Sequence, residues 1–147
     1  MSGFPDTPPT LVDIEALGRI AFQSIPWELR RHTTEVVIRV EDFPDTETEE
    51  EMELESPFDL LGLYRGISLR HKSWSDPTPQ SDMIFLYRRP ILDLWCESGD
   101  ELLDIVRHVL IHEIGHHFGL SDEDMQRLED QAEAEAAEKD LGDMPRA

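Results

Sequence analysis

Cysteine is almost absent from this chain of 147 residues: Cys96 stands alone, so no internal disulfide can form and a zinc site built on several thiolates is excluded. A buried thiol is the expectation for it. Basic residues are scarce as well. Lys and Arg number 13 against 33 Asp and Glu, a formal charge of −20 at pH 7. A surface of that sign repels phosphate backbones and anionic lipid, so neither nucleic acid nor a membrane is an expected partner. No apolar run is long enough to cross a bilayer, and the start, Met1-Ser2-Gly3-Phe4-Pro5-Asp6, carries neither a basic segment nor an apolar signal run. The cytoplasm is the expected location. The length fits one domain with a single core.

The negative charge comes mainly from two blocks. Residues 41–55 hold nine acids and no base, and residues 122–140 hold nine against Arg127 and Lys139. These are solvated faces or, alternatively, a surface that favours basic polypeptides.

What the chain does have is His112-Glu113-Ile114-Gly115-His116, followed by His117-Phe118-Gly119-Leu120-Ser121-Asp122. Histidines four apart on a helix lie one turn plus about 40° apart, so their imidazoles can converge on one ion. Glu113, one position off that line, can hydrogen-bond a water on such an ion, which is the general-base role in H-E-x-x-H hydrolases. A catalytic zinc needs a third protein ligand and an open position. Gly119 can take the left-handed conformation that turns the chain back, and Asp122 follows it. The whole reads H-E-x-x-H-x-x-G-x-x-D, the long zincin spacing with aspartate in the third ligand's place. The competing reading makes Asp122 a helix-capping acid only. His108, four before His112, is a decoy ligand, a group behind the ligands or a surface histidine. His117 is a packing residue, a group behind the ligands or a substrate contact.

Ser98-Gly99-Asp100-Glu101 has capping-box spacing, with Ser98 as the cap, and starts the motif helix well upstream. The apolar lines Leu102, Ile105, Val109 and Leu103, Val106, Leu110 wrap that helix in core. Gly115 permits close approach of a neighbouring backbone or is merely tolerated near the helix end. Ser121 to Asp124 opens a last helix running to about Lys139, with Asp122 in its first turn, where the helix dipole favours the ionised form.

Residues 1–9, with three prolines, read as a disordered arm. Residues 10–130 form the domain, and residues 131–147 an acidic helical or fraying tail. Thr10 caps a first helix carrying Leu11, Ile14, Leu17, Ala21, Phe22 and Ile25, which Pro26 ends. Residues 34–40 form a strand with Val36, Ile38 and Val40 on one face. Residues 41–56 are an acidic loop, Leu60 to Ile67 an irregular or bulged edge strand, and Trp74 to Pro79 a second loop. Met83 to Arg88 is a strand leading through Pro90 and a connector, Ile91 to Trp95, into the motif helix. The sum is an α+β domain.

Several strings together resemble the small bacterial zincin-like metallopeptidase family, the minimal Asp-type zincins. They are Ile25-Pro26, Val36-Val37-Ile38-Arg39-Val40-Glu41-Asp42, Leu60-Leu61-Gly62-Leu63-Tyr64-Arg65-Gly66, Ile84-Phe85-Leu86-Tyr87-Arg88-Arg89-Pro90-Ile91 and the motif itself. The third and fourth are more diagnostic than the motif. The resemblance implies a compact minimal zincin-like domain, a small mixed sheet with a central active-site helix and flanking terminal helices. It implies His112, His116 and Asp122 as ligands of one Zn2+ per chain, and Glu113 as catalytic base. Larger zincins place a methionine beneath the metal, for which Met144 is the only late candidate. Tyr64, Tyr87 and His117 are candidate oxyanion donors, and Arg65, Arg88 and Arg89 either bind substrate carboxylates or pair with surface acids.

The expected function is a zinc-dependent metallopeptidase hydrolysing peptide bonds, with the strand before Pro90 as a candidate platform for an extended peptide or protein substrate. The alternative is a catalytically inactive zincin-like protein, its metal site structural or vestigial, acting as an acidic protein-interaction module. A third reading is the cytosolic H-E-x-x-H group that cleaves or senses repressors, whose members take the third ligand from further downstream.

Overall fold

The computed structural model describes residues 7–33, 35–66 and 81–142, with side chains through Lys139. The helices are α1 (Leu11–Gln23), α2 (Trp27–Arg30), α3 (Thr46–Glu51), α4 (Arg88–Ser98), α5 (Leu102–His117) and α6 (Asp122–Gly142). The strands are β1 (Val37–Glu41), β2 (Gly62–Arg65) and β3 (Met83–Tyr87). They form one mixed sheet in the order β1-β3-β2, β1 running parallel and β2 antiparallel to β3. This is the expected α+β domain. No helix among the described residues is long and apolar enough to cross a membrane.

Strand register explains which face is buried. Val40, Leu86 and Gly62 form one cross-strand row, and Ile38, Ile84 and Tyr64 the next. Both rows face α1 and α5, because side chains alternate along a strand. Ile84 and Leu86 are fully buried there with Ile14 and Ala21 of α1 and Val106, Leu110, Ile111 and Ile114 of α5. Met125 and Leu128 of α6 close the core from the far side of α5.

Thr10 caps α1 as the sequence suggests. Its hydroxyl accepts from the Asp13 N–H at 3.1 Å while the Asp13 carboxylate accepts from the Thr10 N–H at 2.8 Å. Gly119, at φ +74°, ends α5. The Leu120 N–H donates to the Gly115 carbonyl at 2.8 Å and the Gly119 N–H to that of His116 at 3.2 Å, a complete Schellman turn. Ser121 then caps α6 through the Asp124 N–H at 3.1 Å.

Four expectations are corrected. The connector after Pro90 is the helix α4, in which Pro90 sits in the first turn, where its missing N–H has no intrahelical partner to lose. Ser98 ends α4 instead of capping α5: Gly99, at φ +74°, takes the left-handed cap, and Glu101 stands at the α5 cap without a side-chain bond. The acidic loop contains α3, capped by Asp45 with its carboxylate accepting from the Thr48 N–H at 2.7 Å, and then a 3-10 turn, Pro57–Asp59. Cys96 is exposed. Residues 1–6 of the arm, Thr34, the loop from Trp74 to Pro79 and Met144 lie outside the described residues. Pro9 is described, and its carbonyl accepts from Arg88 Nε at 2.6 Å.

Candidate metal centre

His108, His112, Glu113 and His116 all stand on α5. The His112 and His116 rings are 5.9 Å apart and nearly perpendicular, while the His108 and His112 rings are 4.0 Å apart. Helical geometry places His112 between the other two, so it belongs to two overlapping pairs at i, i+4 spacing. Asp122 is the first residue of α6 and exposed, as is His116. It lies close enough for its charge to favour the protonated form of His112.

The α5–α6 approach is what brings a carboxylate inward. A Cβ at Gly115 would fall 2.5 Å from Met125 Sδ, so the glycine admits a buried side chain of α6 and not, as one reading had it, a neighbouring backbone. Met125, Leu128, Glu129 and Ala132 then form a buried stripe along α6 at the 3, 4 and 7 spacing of one helix face. Glu129, 8% exposed, is the only acid in it. Its Oε1 contacts His108 Nδ1 and lies 3.3 Å from His112 Nε2. Among the described residues, this trio is the one set of three or more potential ligands whose donor atoms lie within 4.8 Å of one another. His112, His116 and Asp122 are not gathered to that distance.

His112 Nε2 and Glu129 Oε1 are buried and meet no polar partner outside this trio. Buried polar atoms in folded proteins are nearly always satisfied. Two imidazoles and a carboxylate whose donor atoms face one another are the chemistry of a zinc ligand set, so the residues here fit a divalent ion. Sequence reasoning passed over Glu129, one of many acids in its helix. The available signal was its place in the Met125, Leu128, Ala132 stripe.

Glu113 faces the opposite way. It is half-buried beside Gly62, whose Cβ position is 3.6 Å from Glu113 Cγ, and its carboxylate accepts from the Tyr64 backbone N–H. Burial raises its pKa above the ordinary carboxylate value, opposed by the nearby His116 and by that N–H. Burial lowers the pKa of His108, and that of His112 as well, where His108 adds to the effect and Glu129 opposes it. For Glu129, burial raises it and His112 pulls it back.

The other candidate side chains are engaged. Tyr64 is buried and donates to Asp82 at 2.6 Å, and His117 stacks on its ring at 3.9 Å. Tyr87 is buried in the core. Arg65 pairs with Glu51 at 2.9 Å, Arg88 with Asp42 at 3.0 Å, and Arg89 lies over the Phe43 ring. The strand before Pro90 is corrected as a peptide platform: β3 is bonded on both sides, and among the described residues β1 and β2 are the outer strands.

Residues 33–132 match the model of a family described as zincin-like metallopeptidase. The match spans more than half of the chain, which belongs to that family. No curated protein matches it.

Proposed function

We propose that this protein is a zinc-dependent peptidase in which His112, His116 and Asp122 hold one ion and Glu113 is the catalytic base. Family membership across residues 33–132 supports the class of enzyme. The observation that carries the role of Glu113 is its position: on the same helix as both histidines, turned to the sheet edge, with a pKa raised by burial. When bound, zinc supplies Lewis acidity, lowering the pKa of a coordinated water and polarising a carbonyl. Everything else is work for the chain. The Glu113 carboxylate takes a proton from the attacking water and returns it to the leaving amine, and a raised pKa brings it closer to the operating pH. The Tyr64 N–H fixes the carboxylate's orientation.

Beside Glu113, β2, an outer strand among the described residues, aligns an extended peptide by backbone pairing, the pockets between side chains adding selectivity. Arg65 at its end is tied to Glu51 and to Thr48 Oγ1. The substrate is therefore a flexible peptide or protein segment. We place the protein in the cytoplasm, where its exposed lone Cys96 stays reduced.

Glu113→Gln tests this reading. The variant keeps its zinc and loses cleavage of an unstructured substrate such as reduced, alkylated casein. Equal cleavage by variant and wild type, or none by a zinc-loaded wild type across a peptide library, would return the protein to the non-catalytic alternative.

A further inference from the structure

The ligand set assembled most tightly is not the one that the motif spells. We propose that His108, His112 and Glu129 form a second site for a divalent transition ion of the zinc type, which competes with the motif site for His112. The proposal shares only that histidine with the catalytic reading above.

Three observations converge on it. His108 Nδ1, His112 Nε2 and Glu129 Oε1 lie within 4.8 Å of one another. Two donors about 2.0–2.1 Å from a tetrahedral zinc stand about 3.3 Å apart, and His112 Nε2 and Glu129 Oε1 are 3.3 Å apart, while His108 Nδ1 is closer to the same oxygen and its exposed ring would swing back to admit an ion. Neither His112 Nε2 nor Glu129 Oε1 has a hydrogen-bond partner outside the trio, and Glu129 is brought in by a buried face of α6 and is itself more than nine-tenths buried. Lastly, the trio has an approach. A cavity of about 280 Å³ opens on His108 and Glu129, lined also by the acids Asp100, Asp104 and Glu133 and by Arg107, whose charge is paired with Asp104. Negative lining attracts a cation and leaves room for water at a fourth coordination position.

The donor chemistry selects the ion. Two imidazole nitrogens and one carboxylate suit zinc, cobalt or nickel; magnesium and calcium prefer all-oxygen sites. Glu113 is turned to β2 and is not among the gathered groups. An ion at the second site therefore lacks the motif's base. Because both sets draw on His112, a chain exchanges one ion between them and does not hold two.

Paired double variants separate the sites, with Zn2+ and Co2+ as probes in equilibrium dialysis of the full chain. His116→Ala with Asp122→Ala removes the motif pair through two exposed side chains and leaves the core intact. That protein is expected to retain about one ion per chain, and addition of His108→Ala and Glu129→Gln to weaken binding at least tenfold, on the order of the loss from disturbing a single ligand's support. In the same background, His108→Cys is expected to add a thiolate-to-cobalt charge-transfer band, which tests ligation even if Glu129→Gln disturbs folding. No ion on the first double variant, an ion undiminished by the added substitutions, or no such band on cobalt-loaded His108→Cys would overturn the second site. The catalytic reading fails separately, if His108→Ala with Glu129→Gln on its own folds but takes up no zinc, or takes it up and cleaves nothing that the wild type cleaves.

Discussion

Substituting Gly62 by Ala tests the contact that holds the sheet edge against the motif helix. An added Cβ would stand 2.6 Å from Val109 Cγ1 and 2.9 Å from the Phe85 carbonyl oxygen. Both are closer than real Cβ contacts come. Val109 is buried, and the carbonyl belongs to the central strand, so neither can swing aside. Overpacking of this kind costs about 1–3 kcal/mol. Alanine returns about 0.5–1 kcal/mol by losing less backbone freedom on folding than glycine does. The net loss is about 0–2.5 kcal/mol, which lowers the melting temperature by up to roughly 10 °C for a domain of this size. Thermal unfolding followed by far-UV circular dichroism measures it. Gly99→Ala is the control, because nothing lies within 4 Å of its Cβ position and only the left-handed backbone, φ +74°, resists the change. Its cost is about 1–2 kcal/mol from strain alone. A Gly62→Ala protein that melts above the wild-type temperature would refute the close approach of β2 to α5. Since Glu113 Cγ is 3.6 Å from the same point, a displaced edge also moves the base, and any peptidase activity should fall more than stability does.

Three further outcomes follow. Thr10→Ala removes the α1 cap and should cost about 1 kcal/mol in a urea melt, with no effect on bound metal. Both tyrosines of the chain are buried: burial pushes Tyr87 up to about 12 from 10.0, and raises Tyr64 with help from Asp82. Folded-state values above the unfolded ones give stability that is fully present below pH 10 and is lost as the pH rises through about 12. Tyrosinate absorbance should therefore be missing from the folded protein at pH 10 and appear with unfolding; a normal titration there would contradict the burial of both rings. Met125→Ala removes the side chain seated on Gly115 and should cost about 2–5 kcal/mol by equilibrium denaturation, a small loss arguing against the α5–α6 contact.

Much of this architecture is legible along the chain because it rests on local chemistry. The Thr10 cap, the turn at Gly119, the strand before Arg88 and the buried lines of α5 each follow from residues within one or two turns. The misreadings arise where two local rules compete. Pro90 reads as the start of a connector, yet it lies in the first turn of a helix, where its missing N–H breaks nothing. Ser98 and Glu101 have capping spacing, but Gly99 between them favours ending one helix over starting the next. The acids of residues 46–51 look like solvated loop, although acids are favourable at a helix N-terminus behind a capping Asp45. Glu129 is a different kind of case. Its meaning comes from α6 lying against α5, a long-range contact that no motif encodes, and only its buried neighbours mark it.

The string Leu60 to Gly66 shows why spacing can be diagnostic without carrying chemistry. Gly62 lies against Val109 and Glu113, and a Cβ at Gly66 would meet His117 Cε1 at 2.6 Å. Four residues of strand from Gly62 to Gly66 advance about 13 Å. Eight residues of helix from Val109 to His117 advance about 12 Å. The two glycines therefore mark two points at which strand and helix run side by side at close range, with Tyr64 between them supplying the N–H that Glu113 accepts. A larger residue at Gly62, which meets a buried side chain and a backbone carbonyl, would lift the strand from the helix and take that donor away, whereas one at Gly66 would displace the exposed His117 ring. Gly62 thus sets where the base points, although it has no side chain to offer it.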